Sequence, residues 1–292
     1  MQVLTITPHQ RDTGSMISAL ASLLLTGAPM KPQSLAGASD TKPTQVKFDP
    51  KAWKLVWGDE FDKDGLPDST KWDYEEGYIR NNEAQYYTRA RKENARVEGG
   101  KLIIEARMDN WNGHKFTSAN LITRNKQHFT YGRIEIRAKV PTGRGTWPAF
   151  WTLGENIGEV GWPKCGEIDI LEYVGFDPDK VHANVHCDAY NHMKGNGRGN
   201  NLPGQEPWKD FNVYAVEWWP DKMEFFFNET RYLVYRKEAD NTSVWPFDHP
   251  HFLLLNLAIG GGWGGVKGID ESLFPHKFEV DYVRVYRRVR QE

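Results

Sequence analysis

Hydrophobic residues recur in short runs separated by polar turns from about residue 53 to residue 287. Apolar and polar positions alternate most clearly in 101–107, 132–140 and 278–286. A period of two indicates β-strands, because successive side chains of a strand point to opposite faces. The pattern predicts strands at 53–57, 70–74, 84–88, 101–107, 118–124, 131–140, 147–153, 166–174, 181–188, 212–219, 222–228, 231–236, 252–259 and 278–287.

Helical periodicity of any length is absent from this part of the sequence, and the turns between the runs are short. Many short strands at such spacing are typical of a two-sheet β-sandwich or jelly roll and not of alternating strands and helices. With 292 residues and 39% hydrophobic content, the chain can bury a large core. We therefore predict an all-β fold in one domain over residues 51–292.

The first fifty residues differ in composition from the rest. Residues 16–28 form an apolar run too short to span a bilayer, and residues 36–38 offer a small-residue cleavage site. The sequence predicts a signal peptide over 1–38, a linker over 39–50, and a secreted or periplasmic protein. The alternative is an exposed N-terminal tail, since few basic residues precede the apolar run.

Charge and cysteine content narrow the classes of partner and of fold. A net charge of −2 argues against nucleic acid or an anionic membrane as the main partner. Two cysteines, Cys165 and Cys187, provide no disulfide framework. Strand parity sets Cys165 with Glu167, whereas Cys187 is opposite in parity to His186, so we expect two free thiols on different faces.

The most unusual strand is 166–174, in which three carboxylates interrupt an apolar run. Alternation places Glu167 and Asp169 on one face, but Glu172 has the parity of the core residues. Burying an unpaired carboxylate in the core is costly. We therefore predict a β-bulge at Leu171 or its neighbour that returns Glu172 to the face of Glu167.

Three carboxylates on one face repel one another, so at least one should have a raised pKa and remain protonated while another is ionised. A glycosidase needs this division, because one carboxylate attacks the sugar and a second donates a proton. The alternatives are a solvated acidic face and a metal site.

The motif Glu-Ile-Asp-Ile-Leu-Glu at 167–172 resembles the signature of glycoside hydrolase family 16, in the bulged form of laminarinases, agarases and carrageenases. The resemblance extends from about Trp57 to Tyr286. It implies Glu167 as nucleophile, Glu172 as general acid/base and Asp169 as the residue that holds and tunes Glu167. It also implies a concave substrate cleft and a retaining endo-hydrolase of β-1,3-glucan or mixed β-1,3/1,4-glucan, with no cofactor for catalysis.

Aromatic residues are the first candidates for sugar binding. Trp147 and Trp151 share one strand face, with Phe150 opposite, and the resemblance implies that this strand lies beside the catalytic one. We expect the two indoles to form the floor of the sugar site, with core packing as the alternative. Trp263 stands among five glycines that let backbone approach a ligand, and we expect it to contact sugar.

Polar candidates come from the same comparison of motifs. Asn81 and Asn82 belong to a segment similar to one in laminarinases and can bind sugar hydroxyls, or simply stabilise their own turn. Asn120 replaces an arginine that usually reaches the substrate in laminarinases, which puts strict β-1,3 preference in doubt. His186 is expected to hydrogen-bond Asp169 or the substrate. The segment 195–204 is predicted to be a flexible loop.

Two metal hypotheses follow from the sequence. His182, His186 and Cys187 have ligand chemistry, but on a strand the two histidines lie ~13 Å apart, which disfavours zinc. The resemblance implies a structural calcium ion held by Glu60, a carbonyl near Gly100, and Asp281.

The substrate class is the least determined part of the prediction. The same chemistry could act on a galactan such as agarose, porphyran or carrageenan, and Arg144, Arg198 and Lys194 could supply a basic cleft for a sulfated one. A non-catalytic glucan-binding jelly roll is the other alternative. We expect a monomer whose partner is a β-glucan polysaccharide.

Overall fold

The alternating segments fold into two β-sheets that pack face to face. The structure is a computed structural model that describes residues 40–289. The predicted signal peptide, 1–38, lies outside the described residues. The all-β sandwich expected from the sequence is confirmed.

The strands are β1 (Thr44–Gln45), β2 (Trp53–Asp59), β3 (Asp73–Glu75), β4 (Gln85–Tyr87), β5 (Ala95–Val97), β6 (Leu102–Trp111), β7 (His114–Ser118), β8 (Asn120–Ile122), β9 (Gly132–Lys139), β10 (Thr146–Gly154), β11 (Glu167–Glu172), β12 (Lys180–His186), β13 (Arg198–Pro203), β14 (Asn212–Trp218), β15 (Lys222–Phe227), β16 (Thr230–Arg236), β17 (His251–Ile259) and β18 (His276–Arg288). Short helices α1 (Ile157–Val160) and α2 (Gly261–Gly264) and 3₁₀ turns at Pro50–Ala52, His192–Lys194 and Glu271–Leu273 connect some of them. No helix in this part of the chain is long and apolar enough to cross a membrane.

The larger sheet has eleven strands in the order β1-β16-β15-β14-β9-β18-β6-β7-β4, with β2 paired to β18 and β5 to β6. The smaller sheet has seven strands in the order β13-β12-β11-β10-β17-β8-β3. The catalytic candidate strand β11 is therefore central in the smaller sheet, between β12 and β10. A central strand is held by backbone hydrogen bonds on both sides, which fixes the positions of its side chains.

The core lies between the sheets and is built from the inward face of each strand. The smaller sheet contributes Phe150 of β10 and the aliphatic residues of β11 and β17, which pack with Ile134, Ile136 and Val216 of the larger sheet. A second apolar cluster, which includes Trp151, covers part of the outer face of the smaller sheet. β10 thus buries Phe150 on one face and presents its tryptophans on the other, as alternation predicts.

Each predicted strand has a counterpart in the structure, but β1, β5, β7 and β13 were missed. The prediction of a flexible loop over 195–204 was wrong for β13, which forms an edge of the smaller sheet against β12. Gly199 permits this pairing, since an added Cβ there would lie 2.6 Å from Asn184 Oδ1. The linker prediction, 39–50, also needs correction: β1 pairs with β16, and Asp40 bridges to Val234.

Both cysteines are buried free thiols, as expected. Cys165 belongs to the outer apolar cluster, and Cys187 belongs to the core between the sheets. The sheet therefore separates the two thiols. Burial raises the pKa of the Cys165 thiol to about 12, which keeps it protonated and unreactive at neutral pH.

The junction after β11 is packed too closely for any side chain. An added Cβ at Gly175 would collide with the carbonyl oxygen of Gly143 and the hydroxyl of Thr146. We expect Gly175→Ala to destabilise the fold by about 3 kcal/mol and to lower Tm by on the order of 10 °C in thermal denaturation. Gly158→Ala is the matched control, because its methyl would meet only the flexible end of Arg124 at 3.7 Å. Equal Tm values for the two variants would contradict this packing.

Candidate active site

A β-bulge in β11 determines where the three carboxylates point. Asp169 pairs with residue 184 of β12 and Glu172 with residue 182, so three steps along β11 face two along β12. On the β10 side, Ile170 has no residue opposite it. Ile170 and Leu171 both enter the core, and Glu172 returns to the face of Glu167. The predicted bulge is confirmed.

A cleft of about 420 Å³ lies on the outer face of the smaller sheet. Its lining combines the three carboxylates of β11 with aromatic, amide and charged side chains from β10, β17 and the loops. The lining residues are Glu75, Arg80, Asn81, Glu83, Arg124, Trp147, Ala149, Trp151, Leu153, Ile157, Trp162, Glu167, Asp169, Glu172, His192, Met193, Phe252 and Asn256. The cleft therefore contains the chemistry that the sequence indicated.

Each glutamate of β11 is oriented by an indole. Trp162 Nε1 donates a 2.8 Å hydrogen bond to Glu167 Oε2, and Trp147 Nε1 donates a 3.2 Å hydrogen bond to Glu172 Oε1. Asp169 lies between the glutamates and is 3% exposed. His186 Nε2 is 3.4 Å from Asp169 Oδ2 and 3.6 Å from Glu167 Oε1. The two indoles thus orient the glutamates through hydrogen bonds and do not add a positive charge beside them.

The environment of the three carboxyl groups disfavours their ionisation. Burial, and after it the charge of Asp169, raise the pKa of Glu167 to about 8. Burial also raises the pKa of Asp169, against the effect of its hydrogen bond with Glu167. The pKa of Glu172 lies well above 4.5, first because of burial and then because of the charges of Asp169 and Glu167. The three carboxyls interact closely, so the ionisation of one opposes the ionisation of the others.

Two histidines complete the wall beside the acids. Burial lowers the pKa of His186, and it lowers the pKa of His192 to about 4, so both imidazoles are neutral at neutral pH. The His192 ring packs 5.2 Å from His186 and 5.1 Å from Trp162. His186 therefore faces the carboxylates as a neutral imidazole and not as a cation.

The predicted tryptophans lie in different environments. Trp147 is half-buried in the cleft, and Trp263 packs edge-on against it with ring centroids 5.6 Å apart. Trp151 is only 7% exposed, and its Nε1 donates to Asn256 Oδ1 at 2.8 Å. The guanidinium of Arg80 lies over the Trp151 ring at 5.0 Å. Trp151 lines the cleft as expected, but its face is covered.

The three asparagines predicted to contact the substrate also lie in different environments. Asn81 lines the cleft, whereas the lining does not include Asn82. Both adopt left-handed backbone, with φ of 56° and 52°, so the turn requires residues that tolerate this conformation. Asn120 is fully buried and donates a 2.6 Å hydrogen bond to Glu75 Oε2. Asn120 thus supports a residue of the cleft without lining it.

Sequence reasoning missed Glu75, Arg80, Glu83, Trp162 and His192, all of which line the cleft. Trp162 was detectable, because it precedes Glu167 by five residues in a glycine- and proline-rich turn. The other residues come from loops and strand ends that carry no periodic signal. Their contribution depends on contacts distant in sequence.

The residues proposed for calcium are already bound to arginines. Arg284 donates to both oxygens of Glu60, at 2.8 and 2.7 Å. Arg137 donates to Asp281 at 2.6 Å. A calcium ion would have to compete with these arginines for the carboxylate oxygens. Calcium at Glu60, Gly100 and Asp281 stays a prediction.

The zinc hypothesis fails on placement, because Cys187 points into the core while His186 lies beside the acids. Within residues 40–289, the side chains close enough to share a cation are Glu167, Asp169 and His186. These are the same groups that form the carboxylate site.

Comparison with known proteins identifies the family. Residues 82–284 match the model for glycosyl hydrolases family 16. The chain belongs to this family. It is 52% identical over 246 residues to a beta-glucanase from Rhodothermus marinus, a match that covers 81% of this chain and 86% of the relative.

Solved structures of the family have the same fold. The laminarinase from Rhodothermus marinus superimposes with a TM-score of 0.77 at 52% identity, covering 82% of this chain and 98% of that one. SCLam, a non-specific endo-β-1,3(4)-glucanase, gives a TM-score of 0.81 at 39% identity, covering 88% and 99%. The jelly-roll architecture predicted from the sequence is therefore that of the family 16 glucanases.

Burial of the acids should cost stability as the pH rises. A folded-state pKa raised above 4.5 means that the native protein binds more protons than the unfolded chain, so this stabilisation is complete below pH 4.5 and is lost as pH rises through the folded pKa. Glu172→Gln removes the ionisation. We expect its Tm to exceed that of the wild type by about 4 °C at pH 9 and the gap to narrow toward pH 5.

Differential scanning fluorimetry across this pH range measures the effect. Glu159→Gln, in the exposed helix α1, is the matched control and should follow the wild type. A Tm gap that is independent of pH would contradict the link to ionisation.

Proposed function

We propose that this protein is a retaining endo-β-glycosidase that hydrolyses β-1,3-glucan or mixed β-1,3/1,4-glucan by double displacement. The observation that carries the proposal is the bulge that places Glu167, Asp169 and Glu172 on one face of the cleft. The names of its relatives, a beta-glucanase and a laminarinase, support glucan as the substrate.

In the first step, Glu167 attacks the anomeric carbon while Glu172 protonates the glycosidic oxygen. The bond to the leaving chain breaks, and the sugar remains covalently bound to Glu167. Glu172 is suited to the acid role because burial and its neighbours hold its pKa well above 4.5. The step requires an ionised Glu167 as nucleophile beside a protonated Glu172.

In the second step, Glu172 removes a proton from water, and the resulting oxygen attacks the anomeric carbon from the side of the departed chain. The bond between the anomeric carbon and Glu167 breaks, and its electron pair returns to the Glu167 carboxylate. Esterification removes the charge of Glu167, which lowers the pKa of Glu172 and allows it to act as a base. The sugar leaves with retained configuration, and both carboxyls return to their first state.

The neighbouring side chains act through these acids. Asp169 shares a hydrogen bond with Glu167, and His186 lies beside both carboxyls. Trp162 orients the carboxylate that attacks. Trp147 orients Glu172, and together with Trp263 it offers aromatic surface beside the acid on which a sugar ring can stack. No cofactor enters either step.

The charge of the cleft favours a neutral polysaccharide over a sulfated galactan. Its titratable lining consists of five carboxyl groups, two guanidiniums and one neutral imidazole, those of Glu75, Glu83, Glu167, Asp169, Glu172, Arg80, Arg124 and His192. The described lining does not include Arg144, Lys194 or Arg198. A sulfated chain requires an excess of cations, which this cleft does not have.

We also propose export, because a polymeric glucan cannot enter a cell and because residues 1–38 have the pattern of a signal peptide. A monomer suffices for the chemistry, since one chain supplies all the groups named above.

Removal of either glutamate tests the mechanism. We expect Glu167→Gln and Glu172→Gln each to lower kcat by about 10³-fold or more, because the amide can neither attack nor transfer the proton. The release of reducing ends from laminarin measures the loss, and retained binding of glucan shows that the site is intact. Glu279→Gln is the control, because Glu279 lies on the larger sheet and its carboxylate accepts a hydrogen bond from Lys101. Near-wild-type turnover by either variant removes its assigned role.

A substrate panel separates the candidate classes. With laminarin, curdlan, lichenan and agarose as substrates, we expect reducing ends from the first three and none from agarose. Cleavage of agarose alone assigns the protein to neutral galactan. Binding of laminarin without release of reducing ends assigns it to the non-catalytic glucan-binding proteins.

A further inference from the structure

The cleft has two chemically different halves. Beside the acids, the half-buried indoles of Trp147 and Trp162 line the wall. On the other side of β10, the lining includes Glu75 of β3 and the charged side chains of Arg80 and Glu83, which lie in the turn that follows β3. A glucan chain that crosses the acids toward that side therefore leaves an aromatic surface and meets charged groups.

Arg80 occupies the place where a sugar would stack on Trp151. Its guanidinium lies 5.0 Å from the centroid of the Trp151 ring. The remaining edge of that indole is engaged by Asn256, and the residue is 7% exposed. An indole face covered by a guanidinium is not available to a pyranose ring, so this position must hold a sugar by hydrogen bonds.

Arg80 is held in this position by Glu75. The two side chains form an ion pair, and each is 22% exposed. Asn120, fully buried behind them, donates a 2.6 Å hydrogen bond to Glu75 Oε2. The carboxylate of Glu75 is thus fixed from behind, and it fixes the guanidinium in turn.

Glu83 borders the same part of the cleft and is also rigid. Its carboxylate accepts hydrogen bonds from Gln85 Nε2 at 2.8 Å, Tyr87 Oη at 3.2 Å and Asn81 Nδ2 at 3.2 Å. Tyr87 Oη accepts in turn from Asn256 Nδ2 at 3.1 Å. Asn256 therefore links Glu83, through Tyr87, to the indole of Trp151.

We propose that Arg80 and Glu75 form a hydrogen-bonding clamp for one glucose unit of the chain, next to the unit that contacts the acids. This inference rests on the proposed function. The guanidinium supplies fixed donors and the carboxylate supplies acceptors, and a sugar hydroxyl can both donate and accept. The clamp binds the edge of the sugar ring and replaces stacking on Trp151.

The clamp determines which substituents a glucan can carry at this unit. A hydroxyl that bears a branch or a sulfate has no proton to donate to Glu75. The clamp then lacks this hydrogen bond to the sugar, and a site built to bond a hydroxyl rejects such an analogue. The clamp therefore selects an unsubstituted glucose unit.

Variants of Arg80, tested on linear β-1,3-gluco-oligosaccharides of increasing length, examine the clamp. We expect Arg80→Ala to raise KM about tenfold for oligosaccharides long enough to reach it, with kcat changed less than about twofold. The penalty should disappear below a threshold length, and mass spectrometry should show cleavage shifted along the longer chains. Arg80→Lys keeps the charge but not the planar fork, so it should recover only part of the affinity.

Arg137→Ala is the matched control, since Arg137 pairs with Asp281 on the larger sheet. A folded Arg80→Ala or Arg80→Lys protein with unchanged KM at every length overturns the clamp. A loss in kcat that is equal at all lengths also overturns it, because Arg80 would then act through the acids. If the wild type releases no reducing ends from any oligosaccharide, the proposed function fails instead.

Discussion

The bulge in β11 is the constraint on which the site depends. Two consecutive residues, Ile170 and Leu171, enter the core, and this reverses the parity of every later side chain in the strand. Without it, Glu172 would point among the aliphatic residues and Glu167 would lack a partner. The apolar packing between the two sheets therefore determines the spacing of the carboxylates. A central strand bonded on both sides makes that spacing rigid.

Burial gives the site its chemistry at a cost in stability. Trp147 and Trp162 orient the glutamates as neutral donors, so the acids keep raised pKa values that an arginine partner would have lowered. Further charged side chains of the cleft, those of Glu75, Arg80 and Glu83, come from β3 and the turn that follows it. The large core elsewhere in the sandwich offsets the penalty, a common arrangement in enzymes whose sites are less stable than their scaffolds.

Features with a local signal could be predicted from the sequence. Period-two alternation located the strands, and strand parity required the bulge and separated the two thiols. The position of the Arg80 guanidinium over the Trp151 ring could not be predicted. Strand parity shows to which face of the sheet a side chain points, but not which residue, distant in sequence, packs on that side chain. Asn120 and Glu75 are 45 residues apart. β13 was missed because its Gly- and Asn-rich sequence pairs through backbone, with little β-propensity of its own.

The short strand β1 has a consequence for the handling of the protein. It covers the outer edge of β16, which otherwise ends the larger sheet with unpaired backbone groups. An open edge is a template on which a second chain can add, and such addition is a route to aggregation. Removal of the N-terminal residues up to and including residue 45 would expose this edge. The segment that precedes the domain therefore serves as a protective cover for the sandwich.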